Sequence, residues 1–566
     1  MLRPKPHSKS GEESLEEQKE PFVDQALDRD EGNGPNLDIA SGTRTGCIAA
    51  VSMGVILSLL CLISGIYLVT QKSILGAPVS ISPAGQEAVS LVINFILALC
   101  TDGMMFVHSA SLRWALYREE RLEYNTNIRL FTSSKRFGPN SWYINLVALA
   151  CLILTYASSS VLLVSNQAYM GNENGGVFFE LMINATALIA LGLGLAGQAA
   201  IAVWCLVSCQ KSIPTWSSNP LNTASVALHK GDLVHRPGRC MLSVHQRTMP
   251  SQEAYPGKRQ GSMFQVQHIV RYILALIWSL ALLAIAWPIA IATVSRSIGN
   301  DSYLGQGFEN PCWKLRFDWE KSDWACSRNF VTLSMSPTAN DHNPSSPAFS
   351  YGAEAVLCIL FVCLVQALQT IVLHCLELLV NLSRDEGLWR QAYRGTKEAP
   401  GTQLSTNPFL SAASSWENIV LFISKALLHW IIGQSMIASV AIEESKILNS
   451  IADTTNPGPE YFNSKYGFQF DMVYPRLLIY AIMAIVVASL GTYLALKRPR
   501  GCQPATLGHL QTIVDLIDDW ATDQSGRMWW GDKPVAQLED NQARHAGTCW
   551  DKAVLGPIQN TKYAGN

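Results

Sequence analysis

Eight apolar stretches of about 20 residues punctuate this chain, at 47–69, 88–110, 143–165, 182–208, 269–294, 355–380, 416–441 and 475–496. A hydrocarbon core of roughly 30 Å needs about 20 helical residues to cross it, and backbone polar groups cannot stay unpaired there. The pattern therefore predicts an all-α, polytopic membrane helix bundle with about 8 transmembrane helices. Composition agrees: only 15% of residues are charged, and the mean hydropathy is +0.14. A net charge of −2 gives no reason to expect nucleic acid as a partner. Zinc spacing, a phosphate-cradling glycine loop and a nucleophile elbow are all missing from the sequence. No metal, cofactor or catalytic residue is expected on that ground.

Basic residues set the expected orientation. With the N-terminus in the cytoplasm, cytoplasmic segments hold 31 of the 42 Lys and Arg residues, as positive charge is retained inside. The layout is then an acidic, disordered tail (1–46) and helices 1–4 (47–208) with a basic loop at 111–142. A cytoplasmic loop (209–268) leads to helices 5–8 (269–496), which carry an extracytoplasmic loop at 295–354, and to a cytoplasmic tail (497–566). Residues 1–46 have no apolar core of a signal peptide, so the first span is expected to act as its own anchor in a plasma or endomembrane. Cys312 and Cys326 are the only cysteines expected outside, and they predict a disulfide in the long loop. Asn300 opens an N-glycosylation sequon there. Cys209 and Cys502, just inside the membrane, are candidate palmitoylation sites.

Two short matches suggest an internal 4+4 parallel pseudo-repeat. Leu112-Arg113-Trp114-Ala115-Leu116-Tyr117-Arg118 after span 2 resembles Leu388-Trp389-Arg390-Gln391-Ala392-Tyr393-Arg394 after span 6. Span 3 opens with Ser141-Trp142 and Asn145, and span 7 with Ser415-Trp416 and Asn418. Four spans per half would relate the halves by an axis along the membrane normal.

Inside the spans lie Asp102, His374, Glu377, Lys425 and His429, all expected at similar depth in the cytoplasmic half. A lone charge near the bilayer centre costs at least ~2.5 kcal/mol, so these groups must face the bundle interior and pair. Lys425 is expected to pair with Asp102 or Glu377. Such a cluster is either a coupling site open to the cytoplasm or a satisfied polar clamp, with snorkelling of Glu377 a further alternative. Gln198, Gln366, Gln369 and Gln434 either extend a polar path or glue helices together. Gly192, Ala196 and Ala200 form a small-residue packing stripe.

At the cytoplasmic face, Arg113, Arg118 and Arg121 are expected to meet phosphates of an anionic leaflet. The tail stretch 508–520 places apolar residues at Leu510, Ile513, Val514, Ile517 and Trp520, the pattern of an amphipathic helix. Asp518 and Asp519 at its end oppose the helix dipole. They are expected, with Trp520, to dock the tail on the basic loops 111–136 or 211–259.

Several motifs carry a resemblance. Ser111-Leu112-Arg113-Trp114, the run from His374 through Glu377 to Asp385-Glu386, the stretch 508–520, Trp530-Gly531-Asp532-Lys533 and Arg544-His545-Ala546-Gly547-Thr548 resemble a family of multi-pass integral membrane proteins of filamentous ascomycete fungi. The resemblance covers most of the chain from about residue 50. It implies a fungal membrane protein and supplies no catalytic residues to carry over.

The leading functional expectation is a non-catalytic membrane scaffold or accessory protein. Its docked tail would recruit a cytoplasmic protein or a second copy of the chain. The alternative is a small-molecule or proton-coupled transporter using the intramembrane charged cluster. An intramembrane enzyme has no recognisable nucleophile behind it.

Overall fold

The structure, a computed structural model, describes residues 41–71, 77–169, 177–209, 213–298, 330–335, 351–395, 400–404, 415–447, 461–534 and 543–564. The chain is a helical bundle, and its element order repeats. The first half runs α1 (Ser41–Thr70), β1 (Ala77–Pro78), α2 (Pro83–Arg118), α3 (Trp142–Ser160), β2 (Leu163–Tyr169), β3 (Val177–Ile183) and α4 (Ala185–Cys209). Two short helices, α5 (Pro220–His229) and α6 (Met263–Val266), follow. The second half then runs α7 (His268–Ile298), β4 (Phe330–Met335), α8 (Tyr351–Arg390), α9 (Trp416–Ser435), β6 (Met436–Ile447), β7 (Tyr461–Val473) and α10 (Tyr474–Leu496), with β5 (Thr402–Gln403) set between α8 and α9. The two antiparallel sheets have matching strand orders, β1-β3-β2 and β4-β7-β6. Four helices and one three-stranded sheet thus recur in the same order, and the repeat suggested by two tryptophan motifs extends through each half.

Seven helices, α1, α2, α3, α4, α7, α8 and α10, are long and apolar enough to cross a membrane. The eighth expected span differs. Its helix stops at Ser435 and the chain turns into β6. Glu417, Asn418, Lys425 and His429 lower its apolarity, yet α9 holds the place in the second half that α3 holds in the first. Twenty residues make it about 30 Å long at 1.5 Å per residue.

Each half has its own apolar core. One collects Leu97, Met104, Leu152, Leu195 and their neighbours from α1–α4; the other draws mainly on α7–α10, with Ile277, Leu376, Leu428 and Leu477 among its members. Outward-facing Ile56, Leu60, Ile63, Leu282 and Leu364 are more than half exposed, as expected of helix faces solvated by lipid. Small residues let the helices of a half approach closely. A Cβ on Gly192 would sit 3.0 Å from the Leu62 backbone nitrogen of α1, and one on Gly194 would lie 2.9 Å from the Cys151 carbonyl of α3. Gly192 of the expected stripe and its neighbour Gly194 are thus packing positions, while Ala200 at the end of the stripe is exposed. Between the halves, α2 packs on α9, α3 on α8, and α3 on α9, the pattern a two-fold relation requires.

At the end of the bundle remote from the two matching sheets, the connecting segments and the C-terminal tail build a third core. Leu221, Cys240, Trp389, Ile513, Val514, Trp530 and Tyr563 are buried in it. The repeated tryptophans play the same part twice. Trp114 donates its indole N–H to the Thr215 carbonyl in the segment after α4 (2.9 Å), and Trp389 donates to the Pro504 carbonyl in the segment after α10 (2.9 Å). The tail helix α11 spans only Leu510–Leu516, and β8 (Arg527–Lys533) pairs with β9 (His545–Cys549) and with β5. Gly508 has φ +73°, and a Cβ there would meet Asp385 Oδ2 at 2.7 Å. Its carbonyl accepts from Asn125 N–H, locking the tail to the loop after α2.

Three expectations need correction here. The tail does dock on the 211–259 loop, but through Asp515, which accepts from Arg236 and Arg239. Asp518 instead holds the tail's own strands, accepting from Lys533, His545 and the Thr548 N–H, and Asp519 accepts from Ala521 N–H. Trp520 packs half-buried against the third core. The helix ends before these acids, so its dipole never meets them. Arg113 is buried and donates to the Ser217 carbonyl, so it serves a protein contact in place of a lipid phosphate, while Arg118, stacked over Phe137, and Arg121, paired with Glu119, remain exposed. The Cys312–Cys326 disulfide and the Asn300 sequon lie outside the described residues. So does the side chain of Cys209, the last residue of α4. Among the eleven cysteines whose side chains are described, no two are joined in a disulfide.

Two predictions follow from the tail module. Asp515→Asn leaves Arg239 buried without its carboxylate, so it should destabilise the protein by about 3 kcal/mol. It should also open the tail to limited proteolysis, while Asp519→Asn should do neither. The second concerns pH. Burial alone would lower the His545 pKa, but the hydrogen bond to Asp518 and the nearby Cys240 outweigh it and lift it to about 9. Burial alone would raise Asp518, but His545, Lys533 and the Thr548 N–H hold it far below the usual carboxylate range. A raised His pKa gives stability that is whole below pH 6.5 and is lost as pH rises through about 9. The gap in melting temperature between wild type and His545→Gln should be widest near pH 6.5 and close above pH 9. A gap independent of pH over that range would refute the ion pair.

Candidate functional site

The intramembrane charges converge where the halves meet. Lys425 on α9 donates to Asp102 Oδ1 on α2 (2.7 Å) and to Glu377 Oε1 on α8 (2.6 Å). Its side chain is 2% exposed, against 31% for Asp102 and 20% for Glu377, so the ammonium is enclosed while its carboxylates border less crowded space. Glu377 Oε1 also lies 2.7 Å from His374 Nδ1, one helical turn earlier. The fourth charge is Arg129, from the loop between α2 and α3. Its Nη2 is 3.4 Å from Glu377 Oε2 and 3.1 Å from His374 Nδ1. Two carboxylates and two cations therefore close on one another with no net charge when His374 is neutral.

Toward the strand end, polar contacts continue along the same seam. His429 stacks face to face on Tyr156 of α3, with ring centroids 3.6 Å apart and planes at 3°. Its Nδ1 is 2.8 Å from Gln366 Oε1 and 3.0 Å from Gln369 Nε2. Gln366 in turn donates to Ser160 of α3, and Gln434 donates to Ser90 of α2 at 3.3 Å. Arg476 pairs with Glu87 near the strand end of the bundle. Gln198 is set apart, bonded to Thr155 within the first half.

The sequence-predicted cluster is thus brought together in full: Asp102, His374, Glu377 and Lys425 are in direct contact, and His429 lies one turn along α9. Sequence reasoning missed Arg129 and Tyr156. Arg129 sits in a connecting loop, and its one signal was its place between the apolar Ile128 and Leu130. Tyr156 lies in an apolar span, where aromatic residues are ordinary. Cys502 is half-buried beside Tyr393, within the tail-side module.

Asp102, His374 and Glu377 offer ligand atoms within 4.8 Å of one another, a spacing that could hold a metal ion. Lys425 Nζ stands 2.7 and 2.6 Å from two of those ligands, in the position a metal would need. The donor set is already matched by an ammonium, so the chemistry available here is charge pairing and proton exchange among carboxylate, imidazole and amine.

No protein-family model, no curated protein and no solved structure matches the chain.

The clamp makes a directional prediction. Lys425→Met strands Asp102 and Glu377 and should cost at least about 3 kcal/mol. Arg129→Gln should cost less, since Glu377 keeps Lys425 and His374. Combining Lys425→Met with Asp102→Asn and Glu377→Gln removes the stranded charges and should recover most of the loss. Thermal unfolding in detergent tests this; a triple variant no more stable than Lys425→Met would show that the pairing is not what holds the seam.

Proposed function

We propose that this chain is a non-catalytic membrane scaffold or accessory protein with both termini in the cytoplasm. The observation that carries this reading is the tail-side module. Three connecting segments and the C-terminal tail fold over the helix ends around a core of their own, an investment in surface that a minimal bundle does not need. The mutual neutralisation of Lys425, Asp102, Glu377 and Arg129 supports a seam built to hold. In this reading the module presents a fixed platform to a cytoplasmic protein or a second copy of the chain. The loop 295–354 faces the other side, with a Cys312–Cys326 disulfide and a glycan on Asn300, in a fungal plasma or endomembrane.

A specific observation favours a second reading. Two equivalent halves meet along polar contacts that run from Arg129 to Glu87, and repeat halves meeting at a polar midplane site are a transporter architecture. Proton-coupled transport of a small molecule would use Glu377 and Asp102 as exchanging carboxylates.

Proton uptake by proteoliposomes separates the two. The scaffold reading predicts no pH-gradient-driven flux above empty vesicles, and Glu377→Gln indistinguishable from wild type. Flux in wild type that Glu377→Gln abolishes, with folding intact, would overturn it in favour of transport.

A further inference from the structure

Below the tail-side ends of α8 and α10 lies a cavity of about 1190 Å³ whose wall is basic. Lys258, Arg259, Arg390, Lys497, Arg498 and Arg500 all line it, against Glu386 and Glu417. Both acids are already engaged, Glu386 with Arg390 of the same wall. Glu386 accepts from Arg390 Nε (2.7 Å) and from the Thr506 and Leu507 N–H groups (2.9 and 3.0 Å). Glu417 accepts from the Ser383 and Ser415 hydroxyls. Among the described residues no carboxylate pairs with Lys258, Arg259, Lys497, Arg498 or Arg500, and Arg390 Nη2 is buried with no hydrogen-bond partner.

The fold itself forces these cations together. The Gln260 N–H donates to the Pro499 carbonyl, the Gly501 N–H donates to the Lys258 carbonyl, and Arg259 bridges Arg500 backbone to backbone. Two basic segments are stitched side by side, an arrangement that self-repels unless an anion lies between them. A second, apolar cavity of about 480 Å³ adjoins the first and shares Tyr493 and Lys497 with it. It lies between α7 and α10, its floor fixed by the Trp278 indole N–H donating to Thr492 Oγ1 at 3.0 Å. The junction falls where α10 ends at Leu496, the level at which a hydrocarbon core gives way to headgroups.

We propose that the two cavities form one binding site for an anionic phospholipid whose headgroup carries a phosphomonoester, a phosphoinositide by class. One acyl chain occupies the α7/α10 groove and the phosphate enters the basic cavity. Six cations against two engaged carboxylates exceed what one phosphodiester neutralises, and a monoester adds about −1.5 to −2 of charge at pH 7. The groove distinguishes a lipid from a free phosphate, which has nothing to place there. The site depends on neither functional role above.

Full-length protein in a neutral detergent is titrated with dioctanoyl phosphatidylinositol 4-phosphate, dioctanoyl phosphatidylcholine and inositol 1,4-bisphosphate. Thermal shift and native mass spectrometry report binding. The phosphoinositide should bind one to one and raise the melting temperature, phosphatidylcholine should do neither, and the chain-free headgroup should bind at least ~10-fold more weakly. Arg259→Gln with Arg498→Gln should cost the phosphoinositide at least ~10-fold in affinity, and Lys258→Gln with Lys497→Gln serves should that pair fail to fold. Leu496→Gln should weaken the lipid and leave the free headgroup unchanged. Equal binding of lipid and free headgroup would make this a soluble-anion site, and phosphoinositide binding insensitive to both basic pairs would remove the site altogether.

Discussion

Everything in the bundle is arranged around one buried ammonium. Lys425 reaches a carboxylate in each half, Asp102 on α2 and Glu377 on α8, and so joins two bodies that are otherwise complete. Their apolar cores are largely separate. Lipid is as apolar as leucine, so no hydrophobic force presses one half on the other, and close packing and polar contacts must specify the docking. The seam meets that need at successive levels, through Lys425 with Asp102, Tyr156 with His429, Ser160 with Gln366, Ser90 with Gln434 and Glu87 with Arg476.

The repeat explains why Arg129 is needed. In the register that aligns Trp142 with Trp416, the first-half counterpart of Lys425 is Cys151, which carries no charge. A symmetric seam would give each acid on α2 and α8 its own lysine from the facing helix. Here one lysine serves both, and Glu377 would be left sharing it. Arg129 supplies the second cation from outside the helices. By contrast, the tryptophans that anchor the tail-side segments play the same role in both halves, since Trp114 and Trp389 each donate to the segment that follows the last helix of their own half. The anchors are alike in the two halves, and the charged seam is not.

Periodicity and length made the helices legible from sequence, because a span must satisfy its own backbone and advertises this in some 20 apolar residues. The charged cluster was legible for the same reason: a charge in such a stretch has to find a partner. Arg129 was hidden because a loop arginine is normally solvated, and only tertiary folding turns it inward. The tail failed differently. Its apolar pattern runs on to Trp520, but the helix stops at Leu516 because the chain leaves to form the β8–β9 pairing, where Asp518 finds Lys533 and His545. Asp515 lies on the same helix as the apolar stripe, and nothing local distinguished it as the docking carboxylate over the two acids beyond it. The strand pairs that complete each half were equally invisible, since they belong to segments the hydropathy pattern assigns to connections.

Arg129 also joins the seam to the module. It lies four residues from Asn125, whose N–H donates to the Gly508 carbonyl and whose side chain donates to Asp385 on α8. Glu123 accepts from the Leu510 N–H and pairs with Arg247. One short loop therefore holds Glu377 at one end and the tail helix at the other. Gly508 leaves no slack at that second contact, because a Cβ there would already strike Asp385. Glu377 touches Lys425 and His374 more closely than Arg129, yet Arg129 is its one partner from the loop that also holds the tail. The tail-side module and the seam thus share one loop as a common structural element.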